Sequence, residues 1–396
     1  MFVSFANVIR RKWNGALNRL SRRLLLSRVP GLPREVQIVP TNACNLRCRA
    51  CPKTHYPTDN RHLSPEVYER VKRELFPAAR ILNLQGLGEP LLAPLFRQMV
   101  KDARAFGLKI KFVTNAMRLD EDIMREIVMA GADVTVSLDG ARAETHEDSR
   151  TGSEFSVVID ALSEFHALQK KIRNPDFHIS INTVVTKRNV EEIEDIIEVS
   201  AKYGVSALTL ISPGVGERMD DYAQDVISRH PELLLSRMER LIRRAREKGI
   251  ALFHPVFARP SLTQLQVGQT VSGMDGSKYE RLSGGRLFPG TCLDPWWLTY
   301  IDVDGWVRPC CRAIWVGMGN ILEKPFRKIW NDVHYVRLRR FVNSNNPPEF
   351  CRGCTNWWGI TRGDELYMES LKARGIALPP PPEVGVMASS EKVHGA

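Results

Sequence analysis

The sequence predicts an α/β fold, a parallel sheet in a partial (β/α)6 TIM-like barrel, followed by a small Cys-rich C-terminal module. Two observations carry this expectation. Between residues 34 and 211, short apolar stretches alternate with longer segments of helical periodicity, and parallel neighbours need helical crossovers of that kind. Six such units fall short of the eight that close a barrel, so the sheet is expected to stay open. The second observation is cysteine placement. The 8 cysteines fall into an early group, Cys44, Cys48 and Cys51, and a late group, Cys292, Cys310, Cys311, Cys351 and Cys354, with none between.

The elements follow in order. Phe5, Ile9, Trp13, Leu17, Leu20 and Leu24 recur at spacings of three and four between arginines, which predicts an amphipathic helix ended by Pro30 and Pro33. Strands are predicted over residues 34–39, 80–84, 109–113, 133–138, 177–185 and 206–211. Helices are predicted over 64–76, capped by Ser64, and over 94–106, 121–130, 154–171 and 190–203. Residues 213–290 read as a connecting segment with one helix at 231–248 and a Gly- and Ser-rich linker at 272–290. The domain plan is therefore a basic N-terminal helix at 1–33, the barrel at 34–212, the connector, a Cys- and Trp-rich module at 291–358, and a C-terminal helix and disordered tail at 359–396.

A hydrophobic share of 43% with 26% charged residues fits a globular chain. No run reaches the roughly 18 apolar residues of a spanning helix, and no signal-peptide pattern opens the chain, so a cytoplasmic protein is expected. Lys and Arg number 56 against 45 Asp and Glu, a net charge of +11. Arg10, Arg11, Lys12, Arg19, Arg22, Arg23 and Arg28 stand in the first 30 residues without one acid, leaving the body too mildly basic for a nucleic-acid binder. That segment is expected either to pack on the barrel, closing its open side, or to contact an anionic membrane surface.

Thr41-Asn42-Ala43-Cys44-Asn45-Leu46-Arg47-Cys48-Arg49-Ala50-Cys51-Pro52 directly follows the first strand, so three thiols project from one loop at the mouth of the sheet. Thiolates suit zinc and iron–sulfur sites. Three of them leave one corner of a four-iron cluster open to an outside ligand, while a zinc loop completed by His55 is the alternative. In the late group, Asp304-Gly305 is a hairpin signal that brings Cys292 and Cys310 near one another.

The Cys44-x3-Cys48-x2-Cys51 spacing resembles the loop of the radical S-adenosylmethionine (SAM) superfamily. Gly86-Leu87-Gly88-Glu89-Pro90 resembles that family's Gly-Gly-Glu-Pro turn, with Leu87 at the usual place of a glycine. Thr114-Asn115-Ala116 resembles its Thr-Asn-Gly turn, and Ser137-Leu138-Asp139-Gly140 its ribose-binding edge. The resemblance covers about residues 34–212. It implies a SAM-binding [4Fe-4S] cluster on Cys44, Cys48 and Cys51, with SAM held by Gly86, Gly88, Glu89, Pro90, Ser137 and Asp139. Asn115 reads equally as a contact or a helix cap, and Arg150 as a carboxylate partner or an exposed side chain.

Residues 291–358 resemble the SPASM and twitch modules that carry auxiliary clusters. The resemblance implies one auxiliary [4Fe-4S] cluster on Cys292, Cys310, Cys351 and Cys354, with Cys311 spare. A four-cysteine zinc site remains the alternative. Trp296, Trp297, Trp306, Trp315, Trp357 and Trp358 are expected to pack around the late thiols.

The implied activity is reductive cleavage of SAM to a 5′-deoxyadenosyl radical that abstracts hydrogen from a substrate. The expected substrate is a sugar-like or other small molecule, oxidised with the auxiliary cluster as electron acceptor. A peptide-modifying maturase and a non-catalytic, metal-stabilised binding protein are the alternatives. The resemblance also implies an electron donor such as flavodoxin or ferredoxin. No acid or base residue is identified; Glu217, His254 and Asp294 lie in plausible regions but read as solvated surface.

Overall fold

The computed structural model describes residues 5–55, 59–212, 220–253, 292–344 and 346–351. Six strands follow the expected alternation: β1 (Glu35–Ile38), β2 (Ile81–Leu84), β3 (Lys109–Thr114), β4 (Asp133–Ser137), β5 (His178–Val184) and β6 (Ala207–Ile211). The helices that connect them are α3 (Pro65–Leu75), α4 (Phe96–Phe106), α5 (Glu121–Ala130), α7 (Phe155–Ile172) and α8 (Ile193–Lys202). Preceding these, α1 is Phe5–Arg23 and α2 is the single turn Pro52–His55; α6 is Ala143–Ser149. Ser64 caps α3 by accepting from the Val67 amide, and Asp120 caps α5 by accepting from the Ile123 amide.

The sheet is larger than expected. A seventh parallel strand, β7 (Ala251–Phe253), joins β6, and the late module adds β8 (Leu298–Ile301), β9 (Trp306–Arg308) and β10 (Gly319–Asn320). All belong to one sheet in the order β10-β9-β8-β1-β2-β3-β4-β5-β6-β7. β8 lies parallel to β1, Glu35 opposite Leu298 and Ile38 opposite Ile301. Eight parallel strands therefore run from β8 to β7, with β9 and β10 folded back antiparallel at one edge. The predicted helix over 231–248 is two helices, Pro231–Leu235 and Met238–Glu247. At the break, the Arg237 side chain donates to the Leu233 carbonyl, 2.7 Å away.

Because β1 to β7 are neighbours in sequence order, right-handed crossovers put their helices on the same side of the sheet. The register agrees. Val36, Leu82, Phe112, Val134, Ile181 and Leu208 lie on one face and are buried. The other face carries Gln37, Asn83, Lys111, Thr135, Ser180 and Asn182. Apolar strand residues thus meet the helices, while the polar set lines the opposite face.

α1 packs on the turns at the amino end of the sheet, but in the reverse of the usual sense. Its buried residues are Arg11, Asn14, Gly15, Asn18 and Ser21. Asn14 donates to the carbonyls of Leu32 (2.9 Å) and Ala78 (3.1 Å), and Asn18 donates to Leu32 (2.7 Å). Arg11 donates to Phe76 and Gly107, the residues that end α3 and α4, where the helix dipoles favour a cation. α1 thus covers the turns that lead into β1, β2 and β3, not the open side of the sheet, and leaves its apolar stripe outward.

Candidate active site

The early cysteine loop leaves the carboxyl end of β1 and is tied to its neighbours through backbone. The Arg47 amide donates to Thr151 (2.9 Å) and the Arg49 amide to Ser149 (3.0 Å), fastening the loop to the turn after α6. The Glu89 amide donates to the Ala43 carbonyl at 2.8 Å. A Cβ on Gly88 would lie 2.4 Å from both the Thr41 and Ala43 carbonyl oxygens, so only glycine permits this approach. His55 does not turn toward the thiols with its Nε2, which sits 2.6 Å from the Arg49 carbonyl.

Cys51 lies near Cys44, and both lie near Cys48. Burial pushes the Cys48 thiol up to about 11, opposed by the nearby Arg150 guanidinium. Arg150 is largely buried rather than exposed: its Nε lies 2.8 Å from Asp139 Oδ2 and its Nη1 4.0 Å from Cys48 Sγ.

Asp139, expected at a ribose-binding edge, is engaged by protein groups. Its carboxylate accepts from Arg150, from Ser149 Oγ (2.9 Å) and from the Val184 amide (2.8 Å), all within the protein. The hydroxyl of Ser137, at the end of β4, has no hydrogen-bond partner among the described residues. Glu89 is likewise turned inward. It accepts from Thr114 Oγ1 and the Asn115 amide, both at 2.8 Å, and from the Leu91 amide at 3.3 Å. Burial pushes its carboxyl up to about 7 against those donors. What the Gly86–Pro90 turn presents outward is therefore backbone. Asn115 is no helix cap: its Nδ2 donates to Asn45 Oδ1 in the cysteine loop, its Oδ1 accepts from the Met117 amide, and Ala116 follows with φ of 67°.

Three residues carried no sequence signal. His146 is fully buried, accepts from the Asp139 amide at Nδ1 and lies 3.0 Å from Ser153 Oγ at Nε2. Asp225 is buried beside Arg49, Lys187 and Arg188, joining the cysteine loop to the β5 and β6 ends. Tyr222, packed near Ala50, is buried with a phenol oxygen that has no hydrogen-bond partner among the described residues. A Tyr-x-x-Asp spacing in an irregular segment is too common to have flagged the pair.

The late thiols occupy the other end of the sheet. Cys292 precedes the turn Asp294–Trp297 that enters β8, and Cys310 follows β9, which runs back along β8. The Cys292 thiol feels Cys310 and Cys351, and its backbone is bracketed by the Asn343 side chain, at 2.8 and 2.9 Å. Burial drives Cys292 upward and pushes Cys310 up to about 12. Cys311 is exposed. Asp294 is no solvated carboxylate: burial first, and Glu35 second, raise it. Trp296 is buried, whereas Trp306 and Trp315 are exposed, the latter at 70%. Cys354, Glu217, His254, Trp357 and Trp358 lie outside the described residues.

None of the described cysteines forms a disulfide, and no three His, Cys, Asp or Glu side chains among the described residues close around a single metal ion. Burial raises the Cys44, Cys48, Cys292 and Cys310 thiols, which favours the protonated form unless a metal takes the proton's place, and thiolates of this kind suit iron. An open parallel sheet with a thiol loop at its carboxyl ends and a second thiol group in a C-terminal hairpin defines a two-site iron–sulfur enzyme built on a partial barrel. Residues 38–199 match the Radical SAM superfamily, and residues 292–355 match SPASM, an iron–sulfur cluster-binding domain.

The AdoMet-dependent heme synthase of Methanosarcina barkeri is 29% identical over 321 residues, 78% of this chain and 85% of that protein. The mycofactocin maturase MftC of Mycobacterium ulcerans is 28% identical over 310 residues, 76% and 75% of the two chains. The solved structure of native anSMEcpe with bound AdoMet and Cp18Cys peptide superposes with a TM-score of 0.58 at 18% identity, over 87% of this chain and 98% of that one. The chain belongs to the radical SAM superfamily and carries a C-terminal SPASM domain. It is an enzyme whose cofactors are S-adenosylmethionine and iron–sulfur clusters.

Proposed function

We propose that Cys44, Cys48 and Cys51 hold a [4Fe-4S] cluster with one open iron, and that Cys292, Cys310, Cys351 and Cys354 hold an auxiliary [4Fe-4S] cluster with none. The observation that carries this reading is the placement of two half-buried thiol groups at opposite ends of one sheet, with a polar face between them. When bound, the first cluster supplies the electron that cleaves S-adenosylmethionine to methionine and a 5′-deoxyadenosyl radical, which takes hydrogen from the substrate. The auxiliary cluster supplies an acceptor for the electron released by substrate oxidation. The backbone of Gly86, Gly88 and Pro90 receives the methionine end of SAM, and the Ser137 hydroxyl meets the ribose. Asp139 acts through Arg150, holding that cation against the cysteine loop. Glu89 fixes the turn to Thr114 and Asn115 rather than touching SAM.

The proposed substrate is a polar small molecule. Gln37, Asn83, Lys111, Thr135, Ser180 and Asn182 on the uncovered face suit hydroxyl or carboxylate groups, and the similarity to a heme synthase supports a non-peptide substrate. A peptide substrate is the second reading, favoured by the similarity to mycofactocin maturases. The electron donor is a flavodoxin or ferredoxin. The protein is placed in the cytoplasm, attached peripherally to the inner face of a membrane through residues 1–30. Support for that attachment is the segment's wholly basic charge. Among the described residues no helix is long and apolar enough to cross a membrane.

Anaerobically reconstituted protein with dithionite and SAM should yield 5′-deoxyadenosine, and Cys48→Ala should abolish it. A fully loaded protein that forms none overturns the proposal. Extract separated by size then decides the substrate: a small-molecule fraction that raises 5′-deoxyadenosine yield supports the first reading, and a peptide fraction the second.

A further inference from the structure

We infer that α1 lies lengthwise on an anionic phospholipid surface, its apolar stripe in the headgroup boundary, with a lipid phosphate drawn into an arginine-lined cleft beside it. The inference rests on the peripheral attachment proposed above and names the face, the ligand and the orientation.

The stripe is Ile9, Trp13, Leu20 and Leu24, exposed at 42, 69, 49 and 58%. Their spacing of four, seven and four residues puts them on one side of the helix. That side is opposite Arg11, Asn14 and Asn18, which are held by the carbonyls of Leu32, Phe76, Ala78 and Gly107. The helix cannot roll to bury its stripe without breaking those bonds, so the apolar face is fixed outward. Lys12, Arg19 and Arg23 follow one border of the stripe, and Arg10 marks the other. An apolar ridge between cations, on a helix without an acid, matches a membrane interface rather than an aqueous one.

Beside Trp13 opens a cleft of about 400 Å³ lined by Arg10, Trp13, Leu17, Arg73, Pro77 and Arg327, among others. Glu74 is the acidic residue in its wall, and its two oxygens are taken by Arg70 and by the Phe326 amide. Arg10, Arg73 and Arg327 have no carboxylate partner among the described residues. Three cations around a cleft with a neutralised acid, at the foot of an apolar ridge, fit an anionic headgroup whose acyl chains run along the stripe.

Sedimentation of the full-length holoprotein with phosphatidylcholine vesicles, with and without phosphatidylglycerol, tests this. The wild type should pellet with the anionic vesicles alone. Trp13→Ser with Leu20→Ser should weaken binding at least tenfold. Arg73→Gln with Arg327→Gln should weaken it at least fivefold, since a basic side chain at such a surface contributes roughly a fivefold factor. Iron content and circular dichroism should match the wild type in both, because all four side chains are exposed. If the wild type binds and both double variants bind equally well, the orientation and cleft are overturned while peripheral attachment stands. If the wild type binds no vesicle, the attachment itself fails. Binding to soluble polyglutamate but not to vesicles reassigns the face to an acidic protein and overturns the inference.

Discussion

The Arg150 guanidinium bridges Asp139 and Cys48, with Nε 2.8 Å from the carboxylate and Nη1 4.0 Å from the sulfur. A fixed cation beside a cluster thiolate stabilises the more negative, reduced state. Arg150→Gln should therefore lower the reduction potential of the first cluster by about 60 mV, the one-electron equivalent of a tenfold change. Arg150→Lys should move it less. Redox titration followed by electron paramagnetic resonance measures both, and an unchanged potential in Arg150→Gln would remove Arg150 from any tuning role.

Cys310 and Cys311 are neighbours with different surroundings. Cys310 is half-buried and lies near Cys292, whereas Cys311 is exposed. Reconstituted protein should hold about eight irons, four per cluster. Cys44, Cys48 and Cys51 changed together to Ala should remove about half. Cys310→Ala should lose the auxiliary share and Cys311→Ala should not; the reverse pattern would move the ligand by one residue. One retained zinc in the triple variant would make the late site a zinc site.

Gly88→Ala forces a methyl to 2.4 Å from two carbonyl oxygens of the cysteine loop. The backbone must shift, at a cost of about 2 kcal/mol or more, and iron loading should fall with the melting temperature. Gly15→Ala in α1 is the control. Its added methyl would meet only ordinary contact with Arg19 at 3.6 Å, and a helical alanine should stabilise by about 0.5–1 kcal/mol. Equal melting temperatures for the two variants would contradict the close approach at Gly88.

His146 gives the fold a pH dependence. Burial, and then the charge of Arg150, hold its imidazole down to about 4, so the folded state keeps it neutral. The unfolded imidazole takes a proton below its ordinary value near 6.5. Stability is therefore full above that value and is lost as pH falls from about 6.5 to about 4, at up to roughly 1.4 kcal/mol per pH unit. His146→Gln should flatten that slope in urea titrations across the window; an unchanged slope would assign it to other groups.

Much of the core was legible because its signals are local. Alternation placed β1 to β6 within a residue or two, and Ser64 announced its own helix. The Cys44–Cys51 loop was legible because the spacing of its thiols is itself the chemistry. Other features were set by distant partners. Nothing near Leu298 indicates that its strand will lie beside Glu35, and β7 has three residues, too few for a periodicity. α1 is the sharpest case. Its apolar stripe predicts burial on that face, yet the orphan carbonyls at Leu32, Phe76 and Gly107 bind the polar face instead. The inward contacts of Asp139 and Glu89 were not legible, since they depend on Arg150 and Asn115, each contributed by another segment.

The parallel pairing of β8 with β1 also bears on synthesis. The strand at residues 35–38 leaves the ribosome early, while its partner at 298–301 is made much later. At roughly 5–20 residues per second, the growing chain carries that open edge for on the order of ten seconds or more. An unpaired edge invites association with other nascent chains. The same interval leaves Cys44, Cys48 and Cys51, which directly follow β1, within reach of cluster-assembly proteins before the far end of the polypeptide exists.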